Sequence, residues 1–511
     1  MVKINCPFCF LNCSLIIKKE KFKFAIEYEE PLCARGNAIP ILLDSPKRLA
    51  EPIFINNGKK EKIGWKKVFE ELIKDLKTYK KEEIAVGLDT SLKEEEKRKI
   101  YNFFKSLGIE NIFSGYLEPD QFFFFKVNGV KEGDLEDIDK ADFILLIGDV
   151  FGSFPIVARR ILKRKYEDKN VLLYGIDIFK NRASGFTNQF LTPKIGTEPF
   201  LLFLISEKAQ IIKSKGIKIE EVEKLCEINP VLIELYSEKI LNAKRGILIM
   251  SLESGKSFEP ILYSLLAQIL CNKKTNLYFL GLKNSSYIPF DIKFGELLEK
   301  IEERKIKLLI NFGNSFPFLY PPIYEKLKNC EKVYLTNFYQ MPIDDLNNTY
   351  LLPQSLPIED KNLISPYSGS KTLSEILEEI NFNINLYISQ FNYPKEKIYK
   401  EKDVLERFNE YLSFYKENLK EKLENNLVII GKKEPFYFLN IFEKDSYLYL
   451  NNEKEIAISL PKKIKKELPE NIGILELENL ENRKYFPIFV DKREKFIIIK
   501  PLIIEWKKGD I

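Results

Sequence analysis

The chain has 511 residues, of which 45% are hydrophobic and 30% are charged. This balance excludes a disordered protein, and the length predicts about three globular domains. Its 80 basic and 75 acidic residues are interspersed and leave a formal net charge of +5, so the composition favours neither nucleic acid nor an anionic membrane surface as a partner. Histidine is absent, which excludes an imidazole of this chain as general base, metal ligand or proton shuttle. Abundant lysine and glutamate are typical of thermophilic proteins.

Four cysteines are the first feature along the chain. Cys6, Cys9, Cys13 and Cys33 have the spacing C-x2-C-x3-C-x19-C, in which three thiolates share one turn and the fourth follows a hairpin predicted over 14–30. A cubane iron–sulfur cluster needs such a set because each of its irons takes one cysteine thiolate. The spacing favours one 4Fe-4S cluster, and two alternatives stay open: a structural zinc site and a pair of disulfides.

The region after these cysteines alternates short apolar strands with helices. A turn at 56–58 and an amphipathic helix beginning at Trp65 lead into it. Strands are predicted over 84–89, 109–113, 141–149, 170–177, 246–251, 276–281, 307–313 and 332–338. Helices are predicted over 91–108, 155–166, 321–329 and 392–424, with another ending at Cys271 and a loop over 178–199. This alternation is typical of parallel sheets that are covered by helices on both faces.

Residues 425–511 have a different pattern, with short strands and no long helix, which predicts a β-rich, barrel-like domain. The longest apolar runs, such as 199–205, are far shorter than the ~20 residues of a membrane span, and no targeting segment is visible. We therefore expect a cytoplasmic protein without direct membrane insertion, or one held at the periphery of the inner membrane by partner subunits.

Five stretches of the chain carry a family resemblance through their order and spacing. They are the cysteine set ending in CARG (33–36), RLAEPIFINNGKKEKIGWKKVFEELIKDL (48–76), ADFILLIGDVFGSFPIVARRI (141–161), DIFKNRASGFTNQFLTPKIGTEPFLL (177–202) and TYLLPQSLPIEDKNLISPYSGSKT (349–372). Together they resemble the molybdopterin (Mo/W-bis-MGD) oxidoreductases. This family includes formate dehydrogenase large subunits and the C-terminal module of the large iron–sulfur subunit of respiratory complex I, the NADH-quinone oxidoreductase.

The resemblance and the element pattern together imply an α/β fold with four parts. The first is a small N-terminal 4Fe-4S domain, residues 1–58. Two doubly wound α/β domains follow, of which one is discontinuous (59–125 and 332–424) and the other is inserted into it (126–331). The β-rich, barrel-like domain over 425–511 completes the predicted layout.

Candidate cofactor residues lie at predicted strand ends and in the resembling stretches. Gly148, Asp149 and Asp177 follow strands at their carboxyl ends, where open α/β sheets bind ligands, although such residues also occur as ordinary turn residues. The resemblance implies a basic residue between cluster and pterin, which is Arg35 here. It adds further candidate pterin-binding positions: Arg182, Gly196, Thr197 and Glu359.

The sequence departs from catalytic members of the family near residue 113. Such members carry a cysteine, selenocysteine or similar metal ligand there, whereas this chain has neither cysteine nor histidine and offers only the oxygens of Ser114 or Asp120. The arginine of the family's late loop is also replaced, within residues 367–370. No catalytic residue is assigned. The other cysteines stand in apolar sequence and are expected to be core thiols: Cys226, Cys271 and Cys330.

These departures predict a 4Fe-4S redox subunit, similar to the complex I module, with a degenerate pterin site. Such a chain transfers electrons in a respiratory or dehydrogenase complex, and its partners are other iron–sulfur or flavin redox subunits. One alternative is an active formate or formylmethanofuran dehydrogenase subunit with bound Mo/W-bis-MGD. The other is a zinc-stapled scaffold without redox function.

Overall fold

The computed structural model describes most of residues 2–420 and three short segments beyond them. The described residues are 2–6, 9, 11, 13–20, 23–27, 32–37, 39–43, 48–89, 92–114, 123–178, 180–194, 196–213, 216–252, 257, 259–283, 291–292, 294–313, 326–338, 346–356, 359, 369–391, 398–420, 447–450, 456–457 and 486–487.

The N-terminal segment forms a small antiparallel sheet. Its strands are β1 (Val2–Asn5), β2 (Ser14–Glu20) and β3 (Lys23–Glu27), in that spatial order. The pairing of β2 with β3 confirms the hairpin predicted over 14–30. Two short helices follow, α1 (Ala34–Asn37) and α2 (Ile39–Leu43).

The next segment begins with a tight hairpin, β4 (Ile53–Asn56) and β5 (Lys59–Lys62). Its turn residues Asn57 and Gly58 both have positive φ, 49° and 74°, as a two-residue hairpin turn requires, and they lie within the turn predicted at 56–58. The elements that follow are α3 (Trp65–Thr78), β6 (Ile84–Leu88), α4 (Glu94–Ser106) and β7 (Asn111–Ser114). As the apolar spacing predicts, one face of α3 is buried.

A five-stranded parallel sheet is built from the middle of the chain. The elements in order are β8 (Lys126–Val127), α5 (Leu135–Lys140), β9 (Phe143–Ile147), α6 (Val150–Ser153), α7 (Pro155–Glu167), β10 (Leu172–Ile176), β11 (Gln189–Leu191), α8 (Glu198–Lys208), α9 (Ile219–Cys226), α10 (Pro230–Asn242), β12 (Gly246–Met250), α11 (Pro260–Ile269) and β13 (Leu277–Gly281). The sheet has the order β11-β10-β9-β12-β13.

The region predicted as a loop over 178–199 therefore contains the edge strand β11. It also contains a 3-10 turn at Arg182–Gly185. The strand has only three residues and pairs along one side with β10, so it is too short to show an alternating pattern in the sequence.

A second, seven-stranded sheet combines early and late segments of the chain. Its later elements are α12 (Phe294–Glu302), β14 (Leu308–Phe312), β15 (Lys332–Asn337), β16 (Thr349–Pro353) and α13 (Leu373–Ile384). The strand order is β5-β4-β16-β15-β14-β6-β7, in which β4 runs antiparallel to both of its neighbours, β16 and β5, and the other adjacent strands are parallel. Of the helix predicted over 321–329, residues 321–325 lie outside the described residues and Leu327–Asn329 form a 3-10 turn.

Strand pairing differs from the predicted domain boundaries at two points. The strand β14 falls within the predicted inserted domain, 126–331, yet it pairs with β6 and β15. The strand β4 falls within the predicted N-terminal domain, 1–58, yet it pairs with β16. Backbone pairing joins both strands to the seven-stranded sheet.

Within the predicted helical stretch 392–424, the described helix begins at Glu401. Residues 392–397 and 421–424 lie outside the described part, β17 (Ile398–Tyr399) pairs with β8, and α14 (Glu401–Phe414) follows. The helix α14 packs against the five-stranded part, where the ring of Phe408 stacks on Phe203 at 4.1 Å.

Of the predicted β-rich region, the described residues form three short antiparallel strands. They are β18 (Tyr447–Leu450), β19 (Ile456–Ala457) and β20 (Phe486–Pro487), in the order β19-β18-β20. The remainder of 425–511 lies outside the described residues, so the barrel stays a prediction.

Both faces of the five-stranded sheet are covered. Leu145 and Ile147 of β9 face a core that α8 and α11 complete, whereas Ile144 and Leu146 face a second core with α7. This two-sided burial explains the continuous apolar strands of the sequence. Among the described helices, none combines the length and the apolar character that crossing a bilayer requires.

Candidate functional site

Three of the four N-terminal cysteines lie on the loop that joins β1 to β2. The two strands are paired up to Asn5 and Ser14, and directly beyond that pair the N–H of Cys6 donates to the carbonyl of Cys13 over 2.9 Å. This bond closes the loop at its base, with Cys9 between the two. The antiparallel pairing thus brings Cys6 and Cys13 together from a separation of seven positions in the sequence.

The fourth cysteine stands at the start of α1. The carbonyl of Cys33 accepts the backbone N–H of Asn37 over 3.0 Å and the side-chain amide of the same residue over 3.2 Å. Arg35 lies within α1, two residues beyond Cys33, and its side chain is outside the described part of the structure. Gly36 is buried and lines the same pocket as the four cysteines.

All four cysteines line one pocket, which we call the N-terminal pocket. One wall comes from the N-terminal segment and the other from the junction of α6 and α7. The lining residues are Cys6, Cys9, Leu11, Cys13, Leu32, Cys33, Gly36, Ser153, Phe154, Pro155 and Ile156. Cys6 is buried and the other three cysteines are half-buried.

The cysteine loop is docked on the five-stranded part of the protein. Cys9 and Leu11 pack against the core that contains Val150 and Phe154, directly after the central strand β9. The N-terminal pocket is therefore an interface between two segments that are more than a hundred residues apart in the sequence. Its walls are mainly apolar, which keeps water away from whatever the thiols bind.

Ser153 is the polar exception on the far wall. Its residue is 1% exposed, and its Oγ has no hydrogen-bond partner among the described residues. Leaving a buried hydroxyl without a protein partner is costly, so this group is a candidate contact for whatever the pocket binds. Sequence reasoning did not single out this serine, because it is one small residue in the apolar stretch Phe-Gly-Ser-Phe (151–154).

The structure bears on two of the arrangements that the sequence leaves open, a pair of disulfides and a structural zinc site. None of the seven cysteines is in a disulfide. Within the described ranges, no three side chains of histidine, cysteine, aspartate or glutamate stand together as ligands of a single metal ion. What the structure places around the N-terminal pocket is four thiol groups distributed over its lining.

A second group of sequence candidates meets at the carboxyl edge of the five-stranded sheet. The strand order reverses between β9 and β12, and open α/β sheets bind ligands at such a switch point. Gly148 follows β9 with φ of 78°. A Cβ at this position would lie 2.1 Å from the carbonyl oxygen of Ser251 after β12, so only glycine allows this close approach.

Asp177 and Gly148 are joined by a side chain that the sequence analysis missed. The amide of Asn181 donates to the Asp177 carboxylate over 2.8 Å and to the carbonyl of Gly148 over 3.1 Å. The other carboxylate oxygen of Asp177 accepts the N–H of Ile178 over 2.8 Å. The ends of β9 and β10 are thereby held in a fixed relation.

The remaining candidates at this edge have identifiable local roles. Asp149 caps α6, where its carboxylate accepts the N–H of Gly152 over 2.9 Å. Thr197 precedes α8, and its hydroxyl donates to the carbonyl of Lys194 over 2.9 Å. Gly196 offers its carbonyl to the hydroxyl of Tyr411 over 2.7 Å. Arg182 is exposed beside the same edge.

Buried polar groups next to this edge were not predicted from the sequence. Glu198, the first residue of α8, is 1% exposed, and the hydroxyls of Tyr263 and Ser251 are buried without hydrogen-bond partners among the described residues. Burial raises the pKa of Tyr263 well above its usual value, and the negative charges of Glu198 and Asp177 raise it further. The only sequence signal is an acidic residue at the start of an otherwise apolar helix.

Glu359 does not join this group. Its carboxylate accepts both terminal nitrogens of Arg48, over 2.9 Å and 2.6 Å, and the N–H of Leu356 over 2.7 Å. The side chains of this pair are 0% and 3% exposed. The pair ties the segment after β16 to the segment before β4, so its evident role is structural.

Comparison with known proteins places these sites in context. The chain is 28% identical to the F420-dependent formate dehydrogenase subunit alpha of Methanocaldococcus jannaschii over 273 residues, 49% of this chain and 40% of the relative. It is 24% identical to the F420-dependent formate dehydrogenase 2 subunit alpha of Methanococcus maripaludis over 187 residues, 34% of this chain and 28% of the relative. In these alignments the chain spans less than half the length of either curated relative. No family model matches the chain.

The fold is shared with a solved structure. Acetylene hydratase from Pelobacter acetylenicus superposes with a TM-score of 0.63 at 12% sequence identity, over 76% of this chain and 69% of that chain. The likeness to this structure shows that the chain shares its mixed α/β fold.

Positions that bind the metal in catalytic molybdopterin oxidoreductases fall largely outside the described residues. Ser114 ends β7 with its side chain undescribed, and Asp120, Tyr367 and Ser368 lie outside the described residues. Of the late loop, Gly369 and Ser370 are described: the Gly369 carbonyl accepts the indole N–H of Trp65 over 2.8 Å, and the Ser370 hydroxyl lies 3.2 Å from that of Ser355. The ligand assignments at these positions therefore stay predictions. The absence of cysteine between Cys33 and Cys226 is a property of the sequence itself.

The three cysteines outside the N-terminal pocket are buried thiols. Cys226 ends α9, Cys271 follows α11, and Cys330 precedes β15. Burial raises the pKa of Cys226 and of Cys330 to about 12, and that of Cys271 well above its usual value. Because the thiolate is the reactive form, these groups are inert near neutral pH.

We expect alkylation to separate the two classes of cysteine. In folded, cluster-free protein at neutral pH, iodoacetamide should modify the half-buried cysteines of the N-terminal pocket and spare Cys226, Cys271 and Cys330. Peptide mass spectrometry gives the site of each label. Protein unfolded in urea is the control and should be labelled at all seven cysteines. Native labelling of Cys271 as fast as that of Cys9 would contradict the expectation.

Proposed function

We propose that this chain is the iron–sulfur-carrying redox subunit of a molybdopterin-oxidoreductase-type complex, with one 4Fe-4S cluster held by Cys6, Cys9, Cys13 and Cys33. The observation that carries the proposal is that these four thiols line one pocket. Each iron of a cubane takes one thiolate, so its ligands surround a body rather than meet at a single point. Thiolates are also the soft ligands that such clusters select.

The other residues of the N-terminal pocket suit a one-electron centre. Leu11, Leu32, Phe154 and Ile156 provide apolar walls, which exclude water and bear on the potential of a bound cluster. When bound, the cluster supplies one-electron transfer, and the chain's task is to hold it and keep it dry. Arg35 is proposed to place positive charge next to it and to favour its reduced, more negative state.

The electron donor and acceptor are proposed to lie on other iron–sulfur or flavin subunits. The curated relatives are alpha subunits of F420-dependent formate dehydrogenases, which supports a formate dehydrogenase-type complex ahead of a complex I-like one. In this proposal the chain makes and breaks no bonds of a substrate. The absence of histidine, and of any cysteine between Cys33 and Cys226, supports that restriction.

A second candidate function is an active Mo/W enzyme of the formate dehydrogenase kind. It is favoured by the unpartnered, buried hydroxyls of Ser251 and Tyr263 at the switch point, since buried polar groups call for a polar ligand. The Mo/W-bis-MGD cofactor, when bound, would supply two-electron redox chemistry through its metal. The chain would hold it with residues already placed at this edge: Gly148, Asp149, Asp177, Arg182, Gly196 and Thr197. Glu359 would act only indirectly, through its pair with Arg48.

Metal analysis of anaerobically purified protein tests both candidates and the zinc-stapled alternative. We expect about four irons and about four acid-labile sulfides per chain, the content of one cubane, without stoichiometric molybdenum or tungsten. Iron together with one equivalent of either metal would support the second candidate. Zinc without sulfide would overturn both redox proposals and favour the scaffold. Mass spectrometry of the metals and a colorimetric sulfide assay give these numbers.

A further inference from the structure

The unpartnered hydroxyl of Ser153 invites an assignment beyond the four ligands. The serine is 1% exposed, lies on the lining of the N-terminal pocket and has no hydrogen-bond partner for its Oγ within the described residues. A hydroxyl buried in this way loses its bonds to water and gains none from the protein. Because Ser153 lines this pocket, a group bound in the pocket could act as the partner of its hydroxyl.

We propose that the hydroxyl of Ser153 donates a hydrogen bond to a sulfur atom of the iron–sulfur cluster in the N-terminal pocket and raises its reduction potential. The inference rests on the proposed function, because it requires a cluster between the four thiols. It assigns Ser153 as a positioning and tuning residue and not as a ligand, since all four irons already have a cysteine.

The local structure fixes the position of this hydroxyl before any cluster binds. The N–H of Ser153 donates to the carbonyl of Asp149 over 3.0 Å, while the Asp149 carboxylate caps the same turn at Gly152. Phe154, 2% exposed, anchors the next residue in the core. Only the χ1 rotation of the serine side chain is left to be settled by its partner.

The expected direction of the effect follows from charge. Reduction adds one electron to the cluster, and its sulfurs become more negative. A hydrogen bond becomes stronger as its acceptor gains negative charge, and the apolar walls of the pocket strengthen it further. The hydroxyl therefore stabilises the reduced state more than the oxidised state, and its removal lowers the potential.

Ser153→Ala tests the proposal, because it removes the hydroxyl without adding volume. We expect the ratio of reduced to oxidised cluster at a fixed potential to fall about tenfold, which is about 59 mV for a one-electron couple. Redox titration followed by electron paramagnetic resonance measures the shift. Ser153→Thr keeps a hydroxyl at this position and should therefore have the same reduction potential as the wild-type protein. Ser206→Ala is the matched control. The Oγ of Ser206 is buried and donates to the carbonyl of Leu202 over 2.7 Å, and Ser206 is not among the residues that line the N-terminal pocket.

The outcomes separate this inference from the proposed function. If Ser153→Ala retains iron and sulfide and has the wild-type potential, the hydrogen bond is refuted and the cluster assignment stands. If the wild-type protein holds no cluster, both are refuted. Electron–nuclear double resonance gives a second measurement that does not need the larger threonine variant. The wild-type protein should show an exchangeable proton coupled to the cluster, and Ser153→Ala should lack it. Its persistence would also refute the inference.

Discussion

Replacement of Cys9 by alanine is expected to abolish the paramagnetic signal of the 4Fe-4S cluster and to reduce the iron content well below about four per chain. Cys9 lies in the middle of the loop that the Cys6–Cys13 hydrogen bond closes, and it packs against the core after β9. No other described cysteine is therefore placed to replace its thiolate as a ligand. Loss of the cluster should also loosen residues 1–40, because small metal-bound segments depend on their metal for folding energy. Hydrogen exchange of the β2–β3 hairpin reports that second effect.

Cys330→Ala is the matched control for this prediction. It removes the same sulfur atom from a buried site that belongs to a different core, beneath the seven-stranded sheet. We expect the control to keep its full iron content and its signal. An unchanged iron content in Cys9→Ala would contradict the cluster assignment, whereas loss of iron in both variants would point to a general failure of folding.

The part of the site that the sequence predicts well is the local part. Cys6, Cys9 and Cys13 fall within eight consecutive positions, so their spacing alone places them on one turn. The structure adds Cys33 to the same pocket, as the predicted hairpin between them suggests. That the four bind a cluster stays a prediction, because the proximity of thiols does not identify what they hold.

The far wall of the N-terminal pocket could not be predicted in this way. Ser153 and Phe154 reach the cysteines only through the docking of a loop onto the end of β9, a long-range contact that leaves no periodic signal. The hydroxyl of Tyr263 is hidden for a related reason. It lies in the apolar helix α11, where a tyrosine looks like one more core residue.

The fold shows the same division between local and long-range information. Alternating apolar strands and helices predict parallel sheets, and the described strands confirm them. The assignment of β14 to a sheet depends on which strands it pairs with, β6 and β15, and pairing partners distant in the chain are not encoded in the strand itself. For the same reason the sequence offers Glu359 as a candidate cofactor residue but does not reveal its partner Arg48, which lies 311 positions away.

The Arg48–Glu359 pair carries the second large expected effect. Both side chains are almost fully buried, and two parallel hydrogen bonds join them. Arg48→Met removes one charge and leaves the other buried and uncompensated, which costs about 3–5 kcal/mol. In a multidomain chain this cost is best measured locally. We expect hydrogen exchange to accelerate at the amides of Leu49, which donates to Phe338, and of Leu356, which donates to Glu359.

A double-mutant cycle separates the pair from its surroundings. Arg48→Met combined with Glu359→Leu removes both charges and replaces them with apolar side chains, so the double variant should be more stable than either single variant. Lys62→Met is the matched control, because its ion pair with Glu51 is largely exposed and such pairs contribute little. If Arg48→Met left the amides of Leu49 and Leu356 as protected as the control does, the buried pair would not be what holds these two segments together. Glu359 would then again be a candidate for a direct role in binding a cofactor.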